Sequence, residues 1–296
     1  MSMKVSIIGS NSFVAKALIR KIVHNNEYEL RLFGAGTKDE KNEFYLPEKP
    51  LNFDLLCDSD IIIFTAAAGF QANKTVSPDI IYEVNSFLPV RLSNYLFARE
   101  YKGKMITFGT YYEIGNNSEL KYYSEIDVLS STLPVPNHYC LSKRLLTRFA
   151  DSGLDGINHI HLILPSLYSK DEPSHRLIPY IINSLKEKKE LKLTDGEQVR
   201  QYLHVDDLSN LLEILFYKNM EPGIYNIAPA DEVKIKDVVS YIFSILNAEP
   251  SIALGKIKRK DESMKVLLLD NSKIKNTTGW EAKIDLFDGI KSYLKN

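Results

Sequence analysis

The sequence predicts an α/β protein, a doubly wound parallel sheet followed by a smaller C-terminal lobe. Three observations lead there. Short β-rich runs alternate with amphipathic stretches through the first half, the first of these runs ends in a turn of small residues that opens a helix, and the rhythm changes after Pro165. Strands that alternate with helices pair in parallel through right-handed crossovers, which is how a doubly wound sheet arises.

The elements follow in order. Lys4 to Ile8 reads as a buried strand, and behind it Phe13, Val14, Ala17, Leu18 and Ile22 recur at helical spacing. Leu30 to Phe33, Ile61 to Thr65, Met105 to Phe108 and His159 to Leu164 read as further strands, with helices over Ser86 to Glu100 and Tyr139 to Ala150. Beyond Pro165, helices are expected over Leu177 to Lys188, Asp206 to Tyr217, Ile235 to Leu246 and Leu286 to Leu294, with a strand at Gly223 to Ile227. The expected division is a dinucleotide-binding domain of residues 1–166 and 201–226, and a substrate lobe of residues 167–200 and 227–296. The lobe should lie over the carboxyl ends of the strands, where ligands bind in open α/β folds.

Composition narrows the function. With 37 Lys and Arg against 38 Asp and Glu, no global field favours nucleic acid or an anionic membrane, and no partner of either kind is expected. The basic run Lys256 to Lys260 is short and reads as a solvated face. The opening Met1-Ser2-Met3-Lys4 leads straight into an apolar run without a cleavage site. The longest apolar stretches fall far short of the roughly 20 residues that span a bilayer. Cys57 and Cys140 stand in unlike contexts, which argues against a disulfide framework or a metal site. A cytoplasmic protein with two reduced thiols and no metal is expected.

The turn Gly9-Ser10-Asn11-Ser12-Phe13-Val14-Ala15 would set backbone N–H groups and a helix dipole against a pyrophosphate, as in a Rossmann-type fold. Its glycine pattern is degraded, since Ser12 and Ala15 stand where further glycines are usual. The second strand runs through Phe33 into Gly34, and no acid follows until Asp39. A carboxylate there would bond the ribose hydroxyls of NAD and repel a 2′-phosphate, so its absence favours NADP(H), with Lys38 or Arg31 as partner. NAD(H) remains the alternative.

Tyr139 and Lys143 are spaced to share one face of a helix. A nearby cation should lower the tyrosine pKa and make the phenol a competent acid or base. Thr110, just past the strand Met105 to Phe108, would add a hydroxyl.

These residues resemble the extended short-chain dehydrogenase/reductase family, the NAD-dependent epimerase/dehydratase group that acts on nucleotide sugars. The resemblance runs almost the whole length. Gly9 to Ala15 is similar to the family's glycine turn, Asp60 to Ala67 to its third strand with the cofactor-contacting Ala66 and Ala67, and Asn85 to the asparagine opening the next helix. Pro136 to Lys143 is similar to its Pro-x-x-Tyr-x-x-x-Lys segment, and Leu164 to Tyr168, with Pro165, to the turn beside the nicotinamide. Asp195 to Asp207 resembles the family signature whose arginine, here Arg200, grips the sugar-nucleotide diphosphate, a task suited to a planar guanidinium. The alternative for Arg200 is an ion pair with Asp206 or Asp207. Arg259 or Lys260 stands where a second diphosphate ligand is expected, and Tyr111 beside Thr110 is expected to touch substrate. Gly279-Trp280 matches the family's closing pair.

The family's dehydratases carry Asp-Glu after the catalytic threonine, whereas this chain has Tyr111-Tyr112, so the resemblance implies hydride transfer at a sugar carbon rather than 4,6-dehydration. The favoured reading is NADPH-dependent reduction of a 4-keto-6-deoxy nucleotide sugar, in deoxysugar synthesis for surface polysaccharide. The C-terminal half resembles bacterial synthases of abequose- or paratose-type sugars. An NAD-dependent 4-epimerase uses the same residues and stays open, as does a non-catalytic dinucleotide sensor. The family commonly forms homodimers through helices, and the sequence leaves the oligomeric state open.

Overall fold

The computed structural model describes residues 2–69, 75–154, 156–258 and 264–294. Its centre is a six-stranded sheet in the order β2-β1-β3-β4-β5-β9, every pairing parallel. The strands are β1 (Met3–Ile8), β2 (Tyr28–Phe33), β3 (Ile61–Phe64), β4 (Lys104–Thr110), β5 (Asn158–Leu164) and β9 (Gly223–Asn226). All four residues of β3 and all seven of β4 are buried. Helices cover both faces of such a sheet, which is why its strands read as unbroken apolar runs.

One face carries α1 (Phe13–Ile22) and α7 (Val205–Tyr217), whose Leu18, Ile22, Leu208, Leu211 and Leu215 pack on Val5, Ile7 and Ile106. The other carries α3 (Leu88–Ala98), where Leu88, Leu92 and Leu96 meet Ile8, Ile62 and Met105. Beside α3 lies α5 (His138–Asp151), which Asn137 opens by accepting the Cys140 N–H at 3.0 Å.

The helix expected from Ser86 begins earlier. Chain 78–98 is one helical run, α2 (Pro78–Tyr82), a π-helical turn (Glu83–Phe87) and α3. Asn85 therefore sits inside the run instead of opening it. The short α4 (Glu125–Ser130) follows β4, capped reciprocally by Ser124 and Asp127.

After β5 the chain leaves the sheet. It forms β6 (Ser166–Tyr168), α6 (Leu177–Lys186), β7 (Val199–Arg200) and β8 (Tyr202–His204) before α7 and β9 return it. Next come β10 (Val233–Lys234), α8 (Ile235–Ile245), β11 (Val266–Leu267), α9 (Ser272–Thr278) and α10 (Leu286–Lys291). β6 pairs with β8, and β7 lies between β10 and β11. Helices α6, α8 and α10 close over their own core of Ile178, Ile181, Val238, Ile242, Phe243 and Ile290. Gly279 ends α9 in the left-handed region at φ 74°, and Trp280 is buried against the α7 side of the sheet. Among the described residues no helix is long and apolar enough to cross a membrane, and no His, Cys, Asp and Glu cluster could hold a metal.

Candidate active site

The chain turns back on itself between β1 and β3, because β2 lies on one side of β1 and all later sheet strands on the other. A crevice opens at the carboxyl ends of the strands at such a switch point. Parallel pairing brings Gly9, Gly34, Ala66, Thr110 and Pro165 to that one edge, each at or just past the end of its strand.

Gly9 has φ 85°, and a Cβ there would lie 2.5 Å from the Ala66 nitrogen, so only glycine lets the two turns meet. The Thr65 hydroxyl fastens them by donating to the Ile8 and Gly9 carbonyls, each at 2.9 Å. Ser12 caps α1, its Oγ accepting the Ala15 N–H at 3.0 Å. The N–H groups of Phe13 and Val14 at the start of α1 have no intrahelical acceptor, which is what a phosphate needs. This cradle fits a dinucleotide pyrophosphate. The Asn11 amide is spent otherwise, donating to the Ala35 carbonyl at 2.7 Å and tying the turn to the loop after β2. A cavity of about 100 Å³ opens beside it, lined by Asn11, Phe13, Lys16, Ser169 and Pro173 among others.

One expectation about the loop after β2 is corrected. Arg31 cannot serve a 2′-phosphate, since its guanidinium is bonded to Glu29 and to both oxygens of Asp58. Farther along the loop, Glu43 folds back, Oε1 accepting the Gly36 N–H at 3.2 Å and Oε2 pairing with Lys49 at 3.0 Å. Lys49 neutralises that carboxylate and holds its pKa below the usual range. Lys38 is exposed in the same loop.

Asn85 is fully buried and acts behind the cofactor turn. Its Oδ1 accepts the Ala68 N–H, and its Nδ2 donates to the Ala68 carbonyl and to Ser142 Oγ, all at 2.9–3.0 Å. It pins the turn holding Ala66 and Ala67 to α5. A π turn adds one residue to the helix and aims that side chain inward.

Tyr139 and Lys143 lie one helical turn apart on α5. The Lys143 ammonium donates to the Phe108 carbonyl at 2.8 Å, which sets the first turns of α5 against the end of β4 and beside Thr110. Burial lowers the Lys143 pKa to about 8, and the nearby Glu113 opposes that fall. Burial also drives the Tyr139 phenol well above its ordinary value, with Arg176 acting against the rise. The depression expected from Lys143 is not what sets this phenol: burial does.

Thr110 Oγ1 caps a short 3₁₀ turn, Tyr111–Ile114, at 3.4 Å from the Tyr112 nitrogen. Tyr111 does not face the cleft as expected. It is fully buried, its hydroxyl 2.6 Å from Ser166 Oγ and its ring edge-on to Tyr112. Its neighbour Tyr112 is half-buried.

Arg200 is also placed differently. Because β7 runs parallel to β11, the guanidinium meets the chain entering β11. Nη1 donates to the Val199 and Lys265 carbonyls at 2.7 and 3.1 Å, and Nη2 to Met264 O at 2.6 Å. Three of five donors are therefore committed to main chain. The ion-pair alternative fails as well, since Asp206 pairs with Arg20 and Asp207 accepts the Lys283 and Ile284 N–H groups. Arg200→Ala should strand the buried Met264 carbonyl and destabilise the protein by about 1–3 kcal/mol, the cost of one orphaned group. A thermal melt checks this, and an unchanged melt with selectively weakened nucleotide-sugar binding would restore the diphosphate role. Arg259 and Lys260 lie outside the described residues.

Arg176 stands at the start of α6. Its Nε pairs with Glu172 at 3.1 Å and its guanidinium carbon stands 5.9 Å from the Phe13 ring centre. It therefore lies beside the glycine turn, near enough to Tyr139 for its charge to oppose the rise there. Glu113 was missed altogether. A larger cavity, about 670 Å³, opens at the opposite, amino end of the sheet and holds none of these residues.

A model of the NAD dependent epimerase/dehydratase family matches residues 5–228. The CDP-abequose synthase of Salmonella muenchen is 21% identical over 301 residues, 98% of this chain and 97% of that protein. The CDP-abequose synthase of Salmonella typhimurium is 27% identical over 165 residues, 53% of this chain and 55% of that protein, so this match spans about half of its length. Among solved structures, a dTDP-glucose 4,6-dehydratase from Bacillus anthracis in complex with NAD superposes with a TM-score of 0.81 at 21% identity, covering 100% of this chain and 97% of that one. Other solved neighbours also hold NAD, and one holds NADPH.

Proposed function

The chain belongs to the NAD dependent epimerase/dehydratase family, and we propose that within it the protein is an NADPH-dependent reductase of a 4-keto-6-deoxy nucleotide sugar. The observation that carries this reading is the state of the acids and phenols around Thr110. Tyr111 and Tyr112 occupy the two positions after Thr110, Glu113 is turned into the interior, and burial keeps the Tyr139 phenol protonated. A protonated phenol at the cleft suits proton donation to a developing alkoxide. A 4-epimerase must begin by taking a proton from a hydroxyl, which a raised phenol pKa disfavours.

When bound at the α1 turn, NADPH supplies the hydride. Tyr139 gives the proton to the oxygen at C4, and Thr110 hydrogen-bonds that oxygen. Lys143 holds the nicotinamide ribose, and Arg176 meets the diphosphate. NADP(H) is favoured over NAD(H) because no acid directly follows β2, the Glu43 carboxylate that folds back onto Gly36 is already neutralised by Lys49, and Lys38 is exposed.

NADPH carrying deuterium at the transferred position tests both statements. One cofactor should be oxidised per sugar converted, the label should appear at C4 of the product, and NADH should serve less well. Interconversion of two C4 epimers without NADPH oxidation would replace the reductase with the epimerase.

A further inference from the structure

Beneath the end of β4 lies a buried polar cluster whose carboxyl, Glu113, the reaction above does not use. Glu113 reaches back to its own turn, Oε1 accepting the Thr110 N–H at 2.7 Å, and none of its surface is exposed. Its other oxygen, Oε2, has no hydrogen-bond donor among the described residues. Gly109 leaves the room: a Cβ there would lie 2.7 Å from both Glu113 Oε1 and His161 Nε2 and 3.1 Å from Thr147 Oγ1. Lys143 leans on the same strand end from α5 through the Phe108 carbonyl. A carboxyl and an ammonium are thus sealed on either side of Phe108-Gly109-Thr110.

The other groups facing Glu113 do not replace it as a partner for Lys143. From α5, Arg144 spends its guanidinium on the carbonyls of Glu113, Ile114 and Leu133. Tyr139 and Cys140, on the same helix, are pushed upward by burial and stay neutral. Tyr112, on the same turn, is a phenol. From β5, His161 bonds Thr147 and Thr107, and burial depresses its pKa so that it too is neutral. His159 stands behind it, sharing the Thr107 hydroxyl at 2.7 Å. Glu113 is therefore the anion available to an ammonium that burial would otherwise discharge.

We propose that Glu113 is a positioning residue whose carboxylate holds Lys143 in its charged form. The proposal rests on the reading of Tyr139 and Lys143 as the reaction centre. The signs are definite. Burial raises the Glu113 pKa to about 7, with Lys143 and Arg144 opposing, and Lys143 titrates near 8. Below pH 7 Glu113 is protonated and Lys143 charged without help. Between about 7 and 8 both are charged, each bonded to the same strand end. Above 8 Lys143 loses its proton.

Glu113→Gln keeps an acceptor for the Thr110 N–H and removes the charge. In the substrate-free protein, ¹⁵N NMR of the lysine side chains, with Lys143 assigned through Lys143→Arg, should show its midpoint about one pH unit lower than in the wild type. The basic limb of kcat for 4-keto sugar reduction should move acidward by the same amount. The deficit of the variant would then grow roughly tenfold between pH 6 and pH 8.5, one unit being a tenfold change. Thr147→Val, which removes a hydroxyl that favours ionised Glu113, should move both readouts in the same direction by less, and stands in should Glu113→Gln not fold. An unmoved Lys143 midpoint, or a rate loss equal at every pH, overturns the proposal. Should the wild type turn over no nucleotide sugar, the reductase reading fails while the NMR titration still decides the role of Glu113.

Discussion

Tyr139→Phe should lower kcat by at least about 10²-fold, the usual share of general acid catalysis, with KM for NADPH and sugar nucleotide changed by less than about twofold. The ring keeps its place, so the melting temperature should hold and the loss would be chemical. The raised phenol pKa adds a second expectation. Tyr139 stays protonated through the neutral range, so in the direction of reduction its ionisation takes no rate away there. The basic limb near pH 8 then belongs to Lys143. Near-full activity in Tyr139→Phe would move the proton donor elsewhere.

The largest stability effect is expected at Arg144. Its guanidinium is 7% exposed and donates to the carbonyls of Glu113 and Leu133, at 3.1 and 3.0 Å, and to Ile114. Among the described residues no carboxylate lies in ion-pair contact with it, so truncation leaves the buried Glu113 and Ile114 carbonyls without this donor. Arg144→Ala should cost about 3–5 kcal/mol, or roughly 6–15 °C in melting temperature for a chain this large. Arg144→Lys should recover little, because an ammonium cannot span carbonyls that a planar fork reaches together. Activity should fall further than stability explains, since the same carbonyls hold the turn from Thr110 to Gly115. A melt within two degrees of wild type would mean that water replaces the guanidinium at no cost.

The sheet was legible because its strands are continuous apolar runs, and Tyr139, Lys143 and Thr110 because their spacing places them on one helix face and one strand end. What stayed hidden depends on distant chain. β7, β10 and β11 are two residues each, made by pairing across the lobe and marked by no local periodicity. The signature around Arg200 was readable, but the carbonyls of Met264 and Lys265 that its side chain meets lie far along the sequence. Asn85 was legible as a residue and misplaced as a helix start, since a π turn has no pattern of its own. Glu43 escaped because the loop that folds it onto Gly36 carries no regular period. Glu113 carries one local signal, the Thr110-to-Glu113 spacing of a capping box.

The excursion between β5 and β9 bears on how the protein is made. The outer edge of β5, with Ile160 and Leu162 in its core-facing positions, is completed only when Gly223 to Asn226 arrive beside it. Everything from Pro165 to Pro222 must leave the ribosome first. During that interval a nascent chain displays an unpaired parallel edge of apolar residues, the kind that recruits chaperones or a second nascent chain. Truncations ending before β9 should therefore be insoluble even though they retain Tyr139, Lys143 and the whole α1 turn.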